Sequence, residues 1–195
     1  MLTKFVKFLL YYRRYAGFIF AVLVVLFSKP EIYSIFTGLI FVMVGVIVRT
    51  WASGYIKKNE VLTTCGPYAY TRNPLYFGSF ITALGAVISA NNWILFLVYP
   101  FLFFLIYIRG MKEEEEYLLN KFGKDFEDYK KSVPLFFPVF KKYKNAKSGK
   151  FSFKLVLKHG EYNFYLGVIA IYIYFFLKLK FNFWDWSDVA LCIFR

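Results

Sequence analysis

The chain has 195 residues, of which 59% are hydrophobic and 24% aromatic, so it is more apolar than an ordinary soluble domain. Its formal net charge is +13, from 25 Lys and Arg against 12 Asp and Glu, a balance that could suit nucleic acid. The cations, however, cluster in the loops between apolar runs, as membrane orientation requires, which argues against a nucleic-acid partner. The composition predicts an all-α integral membrane protein.

Metal ligands and nucleotide-binding motifs of the soluble type are scarce in this sequence. The two cysteines, Cys65 and Cys192, lack metal-ligand spacing, and there is one histidine, so no His/Cys metal site is predicted. There is also no glycine-rich strand–loop–helix pattern. A cofactor pocket in this chain must therefore be built in another way.

The apolar runs predict about five transmembrane helices. We place them at residues 15–27, 32–53, 74–90, 93–108 and 162–179. The first is interpreted as a retained span, because Ser28-Lys29-Pro30 after it does not resemble a signal-peptide cleavage site. The third and fourth are slightly short arms of a hairpin joined at Asn91-Asn92.

The polar segments complete the predicted organisation. Residues 109–131 predict a separate amphipathic helix, with a kink or packing point at Phe122-Gly123 and a break at Val133-Pro134. Residues 140–159 form a Lys-rich linker without strong order, and Trp184 and Trp186 are expected to anchor the last span at the interface. We expect one membrane domain over residues 1–195, with its core at 49–138.

The distribution of cations predicts the orientation in the membrane. Lys and Arg concentrate before the first span, in residues 54–73 and in residues 109–159. With an odd number of spans, the amino terminus and both long loops are cytoplasmic and the carboxyl terminus is external. Cys65 and Cys192 then lie on opposite sides and should not pair.

The stretch from Thr63 to Gly78 is the most distinctive part of the sequence. Gly66-Pro67 cannot continue a helix, whereas Asn73-Pro74 favours a helix start. Free N–H groups at that start, beside the guanidinium of Arg72, would suit a carboxylate or phosphate. An ordinary membrane-surface loop with interfacial tyrosines explains the same residues equally well.

Two blocks of the sequence form a recognisable pattern. The first block consists of Gly66-Pro67-Tyr68, Arg72-Asn73-Pro74, Tyr76 and Gly78. The second consists of Glu114-Glu115, Leu118, Phe122-Gly123, Phe126, Tyr129, Val133-Pro134 and Pro138. Together they resemble the isoprenylcysteine carboxyl methyltransferase family and, more loosely, the phospholipid methyltransferases. The resemblance covers roughly Arg49 to Pro138 and depends on both blocks occurring in this order.

This resemblance implies transfer of a methyl group from S-adenosyl-L-methionine to a lipophilic acceptor in the bilayer. It implies cofactor binding by Gly66, Pro67, Tyr68, Arg72, Asn73, Pro74, Tyr76, Glu114 and Glu115. Arg72 would take the cofactor carboxylate. Tyr68, Tyr70 and Tyr76 are candidates for stacking on adenine or for lining the acceptor entrance, and Tyr76 is preferred among them. Glu115 is preferred over Glu114, although the sequence does not separate them and a solvated helix start would carry the same acids. No catalytic residue is assigned.

Three residues need separate comment. Asn73 stands where the family commonly has His, and Phe126 stands where Tyr is usual, so a titratable ring and a hydroxyl are missing. Arg49, near the end of the second span, is expected to snorkel to the interface rather than to act in catalysis.

Three other functions remain open at this point. A phospholipid N-methyltransferase would need a route for the amine proton, and the lack of an obvious base mildly favours a carboxylate or thiol-like acceptor. A nicotinamide-dependent membrane reductase is less favoured, because the spacing of the second block differs. The third alternative is a non-enzymatic membrane scaffold.

The topology is tested by cysteine labelling in intact cells or spheroplasts. We expect Cys65 to react with a membrane-impermeant reagent only after permeabilisation, because its loop carries the cations of the cytoplasmic side. Labelling of Cys65 from outside intact cells would contradict the predicted orientation.

Overall fold

A computed structural model describes residues 17–57 and 60–181, and these residues contain helices and loops but no strand. The predictions for residues 1–14, Trp184, Trp186 and Cys192 fall outside them. The helices are α1 (Gly17–Phe27), α2 (Ile32–Ser53), α3 (Pro74–Ser89), α4 (Trp93–Phe122), α5 (Lys124–Ser132), α6 (Phe153–Lys158) and α7 (Glu161–Phe181). A short 3₁₀ turn lies at Gly66–Ala69.

Three of these helices, α2, α4 and α7, are long and apolar enough to cross a membrane, and α1 and α3 are shorter apolar helices. Large apolar side chains on these helices are exposed, as expected of surfaces that face lipid. Examples are Phe36, Ile47, Leu97, Phe101, Leu166 and Ile173. The prediction of an all-α, multi-pass integral membrane protein is confirmed.

Helix α4 corrects one predicted boundary. It continues without interruption for 30 residues, past Arg109, where we expected a span to end and a separate helix to begin. The residues after Gly110 are good helix formers, so nothing stops the helix before Gly123. Gly123 has φ +51°, a left-handed conformation that suits glycine, and α5 begins directly after it. The predicted kink at Phe122-Gly123 is confirmed.

The segment after α5, residues 134–152, is called the strap. It has no helix, but its backbone is fastened along the earlier segment 54–73 by hydrogen bonds such as Tyr143 N–H to Ala69 O (3.0 Å) and Ser152 N–H to Gly54 O (2.9 Å). The Lys-rich linker is therefore better ordered than we expected, and its end forms α6. Backbone pairing to a distant segment leaves little trace in local composition.

The described chain divides into two compact units. In the first (residues 17–40, 84–109 and 169–181), small residues bring the helices together. A Cβ on Gly38 would lie 2.1 Å from Ser89 Oγ and 2.2 Å from Gly85 O, so only glycine fits there. The hydroxyls of Ser89 and Tyr172 share a hydrogen bond of 2.8 Å, which joins α3 to α7.

The second unit (residues 41–83 and 110–168) repeats this close packing between α2 and α3. A Cβ on Gly45 would lie 2.6 Å from Gly78 O, and a Cβ on Gly78 would lie 2.8 Å from Arg49 N. The predicted role of Gly78 in close helix approach is confirmed.

Arg49 does not snorkel as we expected, because it has partners inside the second unit. Its Nε lies 2.6 Å from Oε2 of Glu161, and a second nitrogen donates to the hydroxyl of Ser79. Its guanidinium also lies 4.3 Å from the centre of the Phe164 ring. The pair joins the end of α2 to the start of α7. Because Glu161 is only 4% exposed, little water surrounds its carboxylate.

Replacing Glu161 by Ala should destabilise the protein, because the charge of Arg49 would then be partly buried without its partner. We expect a loss of about 3 kcal/mol, the lower end of the range for breaking such a pair, measured by thermal unfolding in detergent. Glu116→Ala removes an exposed carboxylate of α4 and is the matched control. Equal melting temperatures for the two variants would show that the Arg49–Glu161 pair is not stabilising.

Candidate cofactor site

A cavity of about 550 Å³ lies in the second unit, within the range of ~300–1,000 Å³ typical of small-molecule sites. It is bounded by the loop after α2, the 3₁₀ turn, the residues before α3, the later part of α4, and α5. The lining residues are Ile56, Lys57, Val61, Leu62, Thr63, Tyr68, Arg72, Asn73, Met111, Glu113, Glu114, Glu115, Tyr117, Leu118, Phe126 and Tyr129.

The two sequence blocks meet because the start of the strap pairs with residues 69–73. Three bonds of this pairing are Arg72 N–H to Pro134 O (3.0 Å), the Asn73 side-chain amide to Leu135 O (3.0 Å) and the Thr71 hydroxyl to Phe136 O (2.8 Å). Asn73 thus uses its amide as a donor to the strap while it also lines the cavity. The pairing with the strap therefore requires a hydrogen-bond donor at position 73.

One wall of the cavity belongs to a buried cluster that consists of Leu62, Phe126, Tyr129 and Val133. The hydroxyl of Tyr129 donates to the carbonyl oxygen of Tyr68 at 2.6 Å, so Tyr129 holds the 3₁₀ turn in place. Phe126 is fully buried in the cluster. A tyrosine there would bury a hydroxyl that needs a partner, which accounts for the apolar ring in this chain.

The charged centre of the cavity is formed by Arg72, Glu115 and Lys130. Arg72 Nη2 lies 2.8 Å from Glu115 Oε1, and Lys130 Nζ lies 3.4 Å from Glu115 Oε2. Arg72 also donates to the carbonyl of Lys130 at 3.3 Å. Burial lowers the pKa of the Arg72 guanidinium, while Glu115 opposes this shift, and an arginine in such a pair remains charged.

Three buried polar atoms at this cavity make no hydrogen bond within the protein: Tyr68 Oη, Arg72 Nε and Glu115 Oε1. The Arg72–Glu115 contact is short, but its N–H is not aligned with Oε1, so the ion pair does not satisfy that oxygen. Burial, aided by the charge of Glu114, raises the pKa of the Tyr68 hydroxyl well above its usual value and keeps it a neutral donor. Across the described residues no other buried side-chain polar atom lacks a partner.

These atoms define what the cavity can bind. Two of these atoms belong to donor groups, an O–H and an N–H, and the third is a carboxylate oxygen. Buried groups that make no hydrogen bond are rare in folded proteins. A ligand with a carboxylate together with ammonium or hydroxyl groups would satisfy all three. The amino-acid head and ribose of S-adenosylmethionine fit this set of groups.

The structure brings five of the predicted site residues to the cavity: Tyr68, Arg72, Asn73, Glu114 and Glu115. The other four do not line it. Gly66 has φ +58° and packs against the ring of Tyr55, and Pro67 and Pro74 are buried where they shape the turns. Tyr76 is half-buried in the first turn of α3, so of the expected anion site the cavity contains Arg72 but not the helix start.

Several lining residues were not identified from the sequence. Met111, Glu115 and Leu118 follow one another at helical spacing, a signal that could have placed Met111 beside the acidic pair. The same geometry separates the two acids, because Glu115 is buried and Glu114 is exposed. Loop residues such as Ile56 and Leu62 carry no such pattern, and only the tertiary structure reveals them.

Fold and site define an all-helical membrane protein with a cofactor-sized cavity beside its spans. Residues 33–125 match the family model described as phospholipid methyltransferase. Protein-S-isoprenylcysteine O-methyltransferase from Schizosaccharomyces pombe is 37% identical over 83 residues, 43% of this chain and 35% of the relative. The same enzyme from Dictyostelium discoideum is 32% identical over 120 residues, 55% of this chain and 51% of the relative.

A cobalt-zinc-cadmium resistance protein from Cupriavidus metallidurans is 30% identical over 109 residues, 55% of this chain and 50% of the relative. The predicted resemblance to the isoprenylcysteine carboxyl methyltransferases, with the related phospholipid methyltransferases, is confirmed. The chain spans about half or less of the length of these curated relatives.

Asn73→Asp should weaken the join between the two blocks, because a carboxylate oxygen would face the carbonyl of Leu135. We expect a destabilisation of about 1–3 kcal/mol, the effect of losing a buried hydrogen-bond partner. Asn73→His keeps a ring N–H donor and should be nearly neutral. Thermal unfolding is the measurement, with Asn120→Asp on the exposed face of α4 as the matched control. If Asn73→Asp is as stable as the control, Asn73 does not hold the strap.

Proposed function

We propose that this chain is an integral membrane methyltransferase that takes its methyl group from S-adenosyl-L-methionine and transfers it to a lipophilic acceptor. The observation that carries the proposal is that one cavity is lined by Tyr68, Arg72 and Glu115, each of which has a buried polar atom that makes no hydrogen bond within the protein. The resemblance to membrane methyltransferases supports the same activity.

The residues divide the recognition of the cofactor between them. Arg72 and Tyr68 would donate to its carboxylate, and Glu115 would accept from its ammonium or its ribose hydroxyls. When bound, S-adenosylmethionine supplies an electrophilic methyl group on a cationic sulfonium. Glu113 and Glu114 add negative charge to the lining, which suits a ligand with two cationic groups.

The charged centre is held by contacts within the protein. Arg72, Glu115 and Lys130 contact one another directly, and the backbone of Arg72 is held to the strap at Pro134. Such contacts restrict the side chains and so reduce the conformational entropy that ligand binding would cost.

The acceptor is proposed to be a carboxylate, as in the isoprenylcysteine enzymes named among the relatives. A carboxylate is already ionised and needs no general base. Burial raises the pKa values of Tyr68 and Tyr129, so the hydroxyls of these two tyrosines of the cavity remain protonated and do not act as bases. Phospholipid N-methylation is the second candidate, favoured by the matched family model. For that reaction the carboxylates of Glu113 and Glu114 could receive the amine proton.

The cavity is proposed to face the cytoplasm, with the amino terminus on the same side. The cations of the loop that contains Lys57 and of the strap support this orientation, because Lys57 lines the cavity and the strap pairs with the backbone of Arg72.

Glu115→Gln should weaken binding of S-adenosylhomocysteine by about 1.5–3 kcal/mol, because a charge-assisted hydrogen bond is lost. Isothermal titration calorimetry of purified protein in detergent measures this, with NADPH as a negative control. Glu113→Gln should have a smaller effect, because that side chain is less buried.

Glu116→Gln is the matched control on the neighbouring residue, which does not line the cavity. Equal, small effects at all three positions, with unchanged elution profiles, would restore the interpretation of these acids as a solvated helix surface. Failure of the parent protein to bind S-adenosylhomocysteine would contradict the proposed function itself, and binding of NADPH instead would favour a reductase.

A further inference from the structure

A second cavity, of about 850 Å³, lies in the same unit between the loop after α2 and the end of the strap. Tyr55, Lys57, Cys65, Lys147, Lys150 and Phe151 are among its lining residues. Neither the resemblance nor the proposed methyl transfer assigns it a role.

The charges of this cavity are opposite to those of the first. Its lining contains three lysines and no Asp or Glu. The ammonium of Lys147 lies 3.2 Å from the carboxylate of Asp125, whereas Lys57 and Lys150 make no ion pair with any part of the chain that the structure describes. From Ser132 to Gly160 the sequence contains no acidic residue, so the strap itself adds only positive charge to this cavity. The cavity therefore attracts anions.

The type of cation indicates the type of anion. The lining has lysines and no arginine. Lysine acts as a point charge and is a common phosphate ligand. A phosphate group therefore suits this lining.

The position of the cavity along the chain places it at the membrane surface. Tyr55 follows the last residues of α2, and Phe151 and Leu155 precede α7, and both helices are long enough to span a bilayer. The ends of spanning helices lie at the level of the lipid headgroups. The rings of Tyr55 and Phe151, with centres 6.1 Å apart, provide an apolar wall for the acyl side of a lipid.

The cavity is held in shape by the backbone. Lys147 N–H donates to the hydroxyl of Thr64 at 2.9 Å, and Ser152 N–H donates to Gly54 O at 2.9 Å. A Cβ on Gly149 would lie 2.3 Å from Cys65 Sγ, so the strap approaches the loop as closely as a glycine permits. A preformed basic pocket at headgroup depth is typical of sites for anionic lipids.

We propose that this second cavity binds the phosphate headgroup of an anionic membrane lipid. The inference does not depend on the proposed methyl transfer. Lys57, Val61, Leu62 and Thr63 line both cavities, so a bound headgroup lies against the outer side of the cofactor cavity wall.

Calorimetry of the full chain in detergent tests this proposal with three probes: short-chain phosphatidic acid, short-chain phosphatidylcholine and inorganic phosphate. Phosphatidic acid should bind, phosphatidylcholine should not bind measurably, and inorganic phosphate should bind much more weakly because it lacks the apolar chains. Equal binding of the two lipids would overturn the proposal. Inorganic phosphate binding as tightly as phosphatidic acid would identify a free phosphate site instead of a lipid site.

Lys150→Ala should weaken phosphatidic acid binding about fivefold, the effect expected for one cation near a headgroup. Lys144→Ala is the matched control, because it removes the same charge from the strap but does not line this cavity. Equal effects of the two variants would show diffuse attraction to a basic segment and overturn the proposal. Binding of S-adenosylhomocysteine should be unchanged in Lys150→Ala, so this result is separate from any failure of the proposed function.

Discussion

The buried contact between Arg72 and Glu115 is the interaction on which the site depends. It joins the loop before α3 to the later part of α4, two segments separated in sequence by a whole hairpin. Taking both charges out of water is unfavourable, and an apolar pair of similar size would often be at least as stable. What an apolar pair could not provide is a guanidinium and a carboxylate in the cavity lining, each with an atom that makes no hydrogen bond within the protein.

The residues of the two blocks have different tasks that the sequence alone does not distinguish. Gly66, Pro67 and Pro74 shape the backbone of the turns, whereas Arg72 and Glu115 contribute polar atoms to the cavity. Both groups are needed, because a polar atom can be aimed at a ligand only from a backbone that is itself fixed. The strap supplies part of that fixation through backbone hydrogen bonds and through the side chains of Thr71 and Asn73.

Much of the fold follows from local sequence, and much of the site does not. Apolar runs of sufficient length identify α2, α4 and α7, and Gly123 marks the end of α4 because few other residues adopt its backbone conformation. The continuation of α4 past Arg109 does not follow from the sequence pattern, because a change from apolar to polar composition marks the end of an apolar surface and not the end of a helix. The partners of Asn73, Arg49 and Lys147 are all distant in sequence, and no periodicity reveals such pairs.

The strap is a continuous segment of backbone that links the two cavities. It runs antiparallel to residues 54–73, from the bond of Pro134 with Arg72 at one end to that of Ser152 with Gly54 at the other. One end therefore supports the acidic cavity, and the other end forms the basic one. A ligand that stabilises either end reduces the freedom of the same backbone pairing, and by linkage the effect must be reciprocal. The carboxylates line only the first cavity, whereas Lys57 lines both, so the proposed cationic cofactor and the proposed anionic headgroup would occupy neighbouring sites with one shared wall.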